Sequence, residues 1–288
     1  LRWAKLHIDP LFITLIILLA SFGTIILYSA SNQSIPMVKS QVMHFTLGFA
    51  CLFLVAQIPP HRIKEMTPWL FFIATIMLFL VLLLGHQSQG AKRWLALGPI
   101  QIQPSEMMKL AMPMMLAWLF HRNTTPQTLF TTCKGALLFI IPLGLVIKQP
   151  DLGTGILIGI SGAFIFLLNG VHWRIIATII IIAVASAPIA WHNMHHYQQL
   201  RILNLINPEH DPLGSGYNII QSKIAVGSGG LIGKGWLLGT QSHLAFLPTH
   251  TTDFIFAVYA EEFGLIGCLV LFVILLCLFF RSLMISQQ

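Results

Sequence analysis

One carboxylate, Asp253, stands where a glycine-rich polar stretch, GSGGLIGKGWLLGTQSHLAFLPTHTT, runs into the apolar run FIFAVYAEEFGLIGCLVLFVILLCLFF. An acid at the mouth of a membrane helix, beside a lysine-bearing loop, is a place to do chemistry on a lipid-linked substrate at the bilayer surface. Its bland alternative is an N-cap. A helix N-terminus lowers a carboxyl pKa and makes a poorer base, whereas desolvation at a membrane-level cleft raises it again. Farther along, Glu261 and Glu262 lie about 12 Å deeper at ~1.5 Å per residue, so at least one should face protein rather than lipid.

Cations are the complementary requirement. The string GSGGLIGKG fails the phosphate-loop spacing and has Gly235 where Ser or Thr should follow the lysine, which excludes nucleotide binding. What survives is that Lys223 and Lys234, beside accessible backbone N–H groups, can neutralise a phosphate; the alternative is contact with lipid headgroups. Lys92, Arg93 and Trp94 join an ammonium, a guanidinium fork and an interfacial ring, a set that suits a pyrophosphate or an anchor. Glu106 and Lys109, at i and i+3, can pair on one helix face, either towards a cavity or merely neutralising each other behind a Ser105 cap. Asp151, in KQPDLGTG, is placed to cap the following span. The His192, His195 and His196 cluster has nonspecific spacing and reads as interfacial rather than metal-binding.

The elements that must position these groups are membrane spans. Of 288 residues 56% are hydrophobic and 9% charged, with mean hydropathy +0.80, against about 25% charged in soluble domains. The expected fold is an all-α polytopic membrane protein, a single integral domain over 1–288, with spans near Leu11–Ala30, Val42–Ile58, Trp69–Gly85, Glu106–Phe120, Ala136–Lys148, Leu152–Gly170, Arg174–Trp191 and Asp253–Phe280. Eight spans put both termini on one side. Arg2, Lys5, Arg62, Lys64, Arg122, Lys134, Arg174 and Arg281 mark that side as cytoplasmic, so residues 192–252 and Asp253 are expected outside. Within that loop HHYQQLRILNLINP and GYNIIQSKIAVG carry helical periodicity and read as short interfacial helices. The net charge of +7 is scattered at membrane flanks rather than gathered in a stripe, which argues for a lipid surface and against nucleic acid. Cys51, Cys133, Cys268 and Cys277 offer no extracytoplasmic disulfide pair.

The segments GAKRW, QPSEMMKLAMP, QPDLGT, NPEHDPLGSGYNIIQSKIAVGSGGLIGKGWLLGTQSHLAFLP and TDFIFAVYAEEFGLIG resemble the SEDS (shape, elongation, division and sporulation) family from the first span to the last. The resemblance implies a peptidoglycan glycosyltransferase that polymerises lipid II outside the bacterial inner membrane during elongation. Asp253 then corresponds to the family's essential acid, accepting the proton of an N-acetylglucosamine 4-hydroxyl that attacks the anomeric carbon of the growing strand. Undecaprenyl pyrophosphate leaves, its charge met by Lys92 and Arg93 and by Lys109 or Lys234, with a divalent cation (Mg or Mn) as a further candidate. Implied partners are a class B penicillin-binding protein and other elongation-machinery membrane proteins. Two features depart from the family. LPTHTTD replaces L-P-E-x-H-T-D, putting Thr249 and Thr251 at the Glu and His positions, and the chain carries eight expected spans where members have ten. The alternative functions are a lipid II flippase, which needs polar groups through the full depth of the membrane, and a scaffold without chemistry.

Overall fold

A computed structural model of the chain describes residues 8–88, 91–97, 100–121, 128–149, 151–170, 196–212, 214, 216–240 and 251–287, with isolated positions between 177 and 194. The helices are α1 (Pro10–Ala30), α2 (Ile35–Ala56), α3 (Pro60–Leu84), α4 (Pro104–His121), α5 (Leu129–Lys148), α6 (Leu152–Leu168), α7 (His196–Ile206), α8 (Tyr217–Ser228) and α9 (Ile255–Ser286). Five of these, α1, α2, α3, α5 and α9, are long and apolar enough to cross a membrane. The expected span Arg174–Trp191 falls largely outside the described residues.

Helix ends depart from the expected spans for a local reason. Hydropathy finds the apolar slab, but caps and first-turn prolines set where a helix begins. Thus α5 starts at Leu129 because the Thr128 side chain accepts from the Thr131 N–H, and α3 starts at Pro60, well before the apolar run. Likewise α1 starts behind Asp9, whose carboxylate accepts from the Phe12 N–H at 2.8 Å.

The purely α expectation needs one correction. Residues expected as a loop form a small antiparallel sheet in the order β1 (His86–Ser88), β2 (Ala91–Leu97) and β3 (Ile100–Ile102). Its register sets His86 opposite Trp94, Lys92 opposite Gln87 and Leu97 opposite Ile100. The sequence carries the reason, since Gly90 and the Gly98-Pro99 pair punctuate short runs that fit hairpins.

The chain forms two compact units, one of Leu1–Gln57 with Ala190–Gln288 and the other of Ile58–Ile189. In the second, α3, α4, α5 and α6 surround a core of Phe71, Leu78, Met108, Met112, Leu116, Phe120, Val146 and Ile158. Small residues permit that packing: a Cβ on Gly135 would stand 2.8 Å from the Phe120 ring. In the first unit α1 packs on α9, and α9 on α8. Asp9 closes it as well, because Arg281 near the end of α9 donates through Nε to its Oδ1 at 3.1 Å and through Nη2 to its Oδ2. The guanidinium hydrogen bond, with the Phe12 amide, holds the Asp9 carboxyl below the usual carboxylate range. Many large apolar side chains point outward, including Leu47, Leu84 and Leu168, as a lipid-facing surface requires.

Candidate active site

Asp253 lies in the turn 251–254 that leads into α9, and its side chain is exposed. The capping position belongs instead to Phe254, with no side-chain cap bond, so the carboxylate is not consumed as an N-cap. Among the described residues nothing hydrogen-bonds or ion-pairs with it. Its neighbour Phe254 packs on Ala225 of α8 and Ala257 of α9, which seats the head of α9 on α8.

Deeper in α9 the helix is broken. Gly264 has φ 64° and ψ −162°, a conformation almost confined to glycine. The break frees the carbonyls of Glu261 and Glu262 and the amides of Leu265 and Ile266, which an intact helix would pair with one another. The stretch 229–235 takes up all of them. Lys234 and Gly235 amides donate to the Glu261 and Glu262 carbonyls at 3.0 Å each, and the Leu265 and Ile266 amides donate to the Gly230 and Leu231 carbonyls at 3.0 and 3.1 Å. Backbone inside a lipid slab must be satisfied by protein, and this loop does so. Close approach needs glycine here: a Cβ on Gly233 (φ 87°) would meet the Gly264 amide nitrogen at 2.7 Å.

Both glutamates before the break are buried. Glu261 Oε1 accepts from Lys234 Nζ at 2.6 Å, from the Thr240 N–H at 2.9 Å and from the Thr240 hydroxyl at 3.0 Å. Glu262 Oε1 accepts from the hydroxyl of Ser29 on α1, itself fully buried. At about 100° apart around the helix, the two side chains thus use two different protein faces rather than one. Trp236 adds a contact from the loop to Tyr28 of α1, ring centroids 6.1 Å apart.

In the other unit Asp151 gathers a polar cluster. Although it precedes α6, its side chain makes no cap bond, contrary to the capping expectation. It accepts instead from Gln103 Nε2 at 3.2 Å and the Ser105 hydroxyl at 3.5 Å, with Arg93 Nη1 at 3.9 Å. The reason is packing, since α4 lies against α6 and brings Ser105, with Gln103 just before it, to the Asp151 carboxylate. Beside it, buried Gln149 donates from Nε2 to the Leu78 carbonyl at 2.8 Å. Replacing Asp151 by Ala leaves partners of a nearly buried carboxylate without it, and a loss of about 1–3 kcal/mol follows. Asp151→Asn, whose amide oxygen still accepts, should lose clearly less, as read from thermal midpoints of detergent-purified protein.

Residues 9–288 match the family model of cell cycle proteins FtsW, RodA and SpoVE. The chain belongs to the FtsW/RodA/SpoVE family. It is 45% identical over 287 residues to the peptidoglycan glycosyltransferase MrdB of Escherichia coli K12, covering 99% of this chain and 78% of that protein. It is also 34% identical to a probable peptidoglycan glycosyltransferase FtsW of Synechocystis, covering 86% of this chain and 65% of the relative. Among solved structures it resembles a chain of a peptidoglycan synthase complex that coordinates polymerization and crosslinking, with TM-score 0.78, 26% identity, and 95% of this chain and 76% of that one covered. Thermus thermophilus RodA shares the fold, with TM-score 0.65 at 24% identity over 95% of this chain and 73% of that one. Family membership makes this a multi-pass membrane protein of bacterial inner-membrane type.

The remaining basic and polar candidates are placed as follows in this FtsW/RodA/SpoVE member. Glu106 and Lys109 form the expected ion pair on α4 at 2.7 Å, both partly exposed. Lys223 is exposed on α8. Arg93 and Trp94 are half-buried on β2, while the Lys92 side chain, Thr249 and His195 lie outside the described residues. Lys234 has its ammonium held by Glu261 and Thr240, partners that a phosphate would have to displace. Among the described residues no three His, Cys, Asp or Glu side chains gather as a protein-built metal cage would require. The four cysteines are free. Sequence reasoning did not single out Ser29, Gln103, Gln149 or Thr240, common polar residues whose importance comes from partners far away in sequence, Glu262, Asp151, the Leu78 carbonyl and Glu261.

Proposed function

We propose that this chain is a peptidoglycan glycosyltransferase that polymerises lipid II into glycan strands during bacterial cell elongation, with Asp253 as its general base. The observation that carries the role of Asp253 is an exposed carboxylate at the head of a membrane-length helix, left uncapped and without a partner among the described residues. A carboxylate tied into a cap or ion pair would have its lone pairs occupied; this one is open to a hydroxyl.

The step is a displacement. The 4-hydroxyl oxygen of lipid II's N-acetylglucosamine bonds to the anomeric carbon of the strand's terminal N-acetylmuramic acid, its proton passes to the Asp253 carboxylate, and the bond to undecaprenyl pyrophosphate breaks. For the leaving pyrophosphate the reading assigns Lys92, Arg93 and Trp94, with Lys223 as an exposed ammonium. Lys109 and Lys234 are already balanced by Glu106 and Glu261, which makes them weaker candidates for the same task. Both compact units are taken as parts of one integral membrane domain of eight spans, with residues 192–252 and Asp253 on the extracytoplasmic side, and a class B penicillin-binding protein as partner.

The test is direct. The purified protein with its penicillin-binding partner, given lipid II in detergent, should yield glycan polymer on a gel. Dye-labelled lipid II crossing the bilayer of proteoliposomes, with no polymer formed, would replace the enzyme reading by the flippase.

A further inference from the structure

The lock formed by Lys234, Glu261 and Thr240 engages the Lys234 ammonium within the protein, and it sits on the frame that carries the acid. Glu261 is fully buried on α9, two helical turns beyond Asp253. One oxygen, Oε1, gathers Lys234 Nζ, the Thr240 N–H and the Thr240 hydroxyl, and Lys234 Nζ closes the ring by donating to Thr240 Oγ1 at 2.8 Å. The helix side of Asp253 is fixed, because Phe254 is seated on α8 and α8 leads into the loop that fills the α9 break.

We infer that Glu261 is a positioning residue for Asp253, holding Lys234 and Thr240 to α9 so that the helix leaving the acid and the loop docked on that helix keep one geometry. The inference rests on the reading of Asp253 as the base. This carboxylate ties a side-chain cation and the backbone of a residue far along the loop to the helix of the acid. A displacement of about 1 Å at a reacting group is enough to lose on the order of 100-fold in rate.

The experiment uses the full chain with its penicillin-binding partner and steady-state polymerisation of lipid II. Glu261→Gln keeps the shape but drops the charge that holds Lys234, and kcat should fall at least about tenfold, the lower side of that positioning effect, with KM for lipid II little changed. Lys234→Met should fall as far, the double variant no farther than either single, and Lys234→Arg should restore most of the rate. Ser29→Ala is the comparator, because it breaks the equally buried bond to Glu262 without touching the loop. If Glu261→Gln turns over like wild type, or Ser29→Ala loses as much kcat at matched thermal stability, the positioning role is overturned. If Asp253→Asn still polymerises, the parent reading fails instead, so the two failures are distinguishable.

Discussion

Asp253→Asn should leave the protein folded and take glycan synthesis from lipid II down by about 10²–10⁴-fold, the usual contribution of a positioned general base. Folding is expected to survive because the side chain is exposed, makes no cap bond and has no partner among the described residues. Asparagine matches the carboxylate in shape and removes only its capacity to take a proton. Asp253→Glu retains that capacity about one methylene out of place and should keep a measurable fraction of the rate. The check is polymer length and yield on gels, with the penicillin-binding partner present and size-exclusion profiles matched to wild type. Full activity in the asparagine variant would remove Asp253 from the chemistry.

Much of this was legible before any coordinates. Asp253 was visible because a charge beside an apolar run is rare enough to stand out, and the pairing of Glu106 with Lys109 followed from helical spacing alone. Asp151 was legible as a polar residue at a helix start but not in its role, since capping is a local rule and its partners, Gln103 and Ser105, are far away in sequence. The sheet at 86–102 was masked by a hydropathy reading, which registers polarity and is blind to the hairpin signals of Gly90 and Gly98-Pro99. The α9 break was the least legible feature. FGLIGCL scans as an uninterrupted apolar helix, because one glycine in a long apolar run is ordinary and its positive φ is set by a loop thirty-odd residues upstream.

That loop gives the second large effect, at Gly264. Alanine there must either keep φ 64° and ψ −162°, at about 1–3 kcal/mol, or straighten the helix. Keeping the break also drives the new Cβ to 2.7 Å from the Leu231 carbonyl oxygen and closer still to the Gly233 amide, backbone atoms that no rotamer change can move. Straightening regains two helical hydrogen bonds and forfeits four to the loop, leaving the Gly230, Leu231, Lys234 and Gly235 groups to find partners elsewhere. Either way residues 229–235 are unseated, and with them the hold of Glu261 on Lys234 and Thr240. Gly264→Ala should therefore lower the thermal midpoint by an amount worth several kcal/mol, on the order of the strain plus the unmet backbone groups, and polymerisation should be lost with it. Gly227 supplies the contrast. It lies inside α8 with nothing within 4 Å of an added Cβ, so Gly227→Ala should be neutral or stabilising by up to about 1 kcal/mol through helix propensity. Equal stability and activity for both alanine variants would mean that the α9 break and its docked loop are not what holds this end of the molecule together.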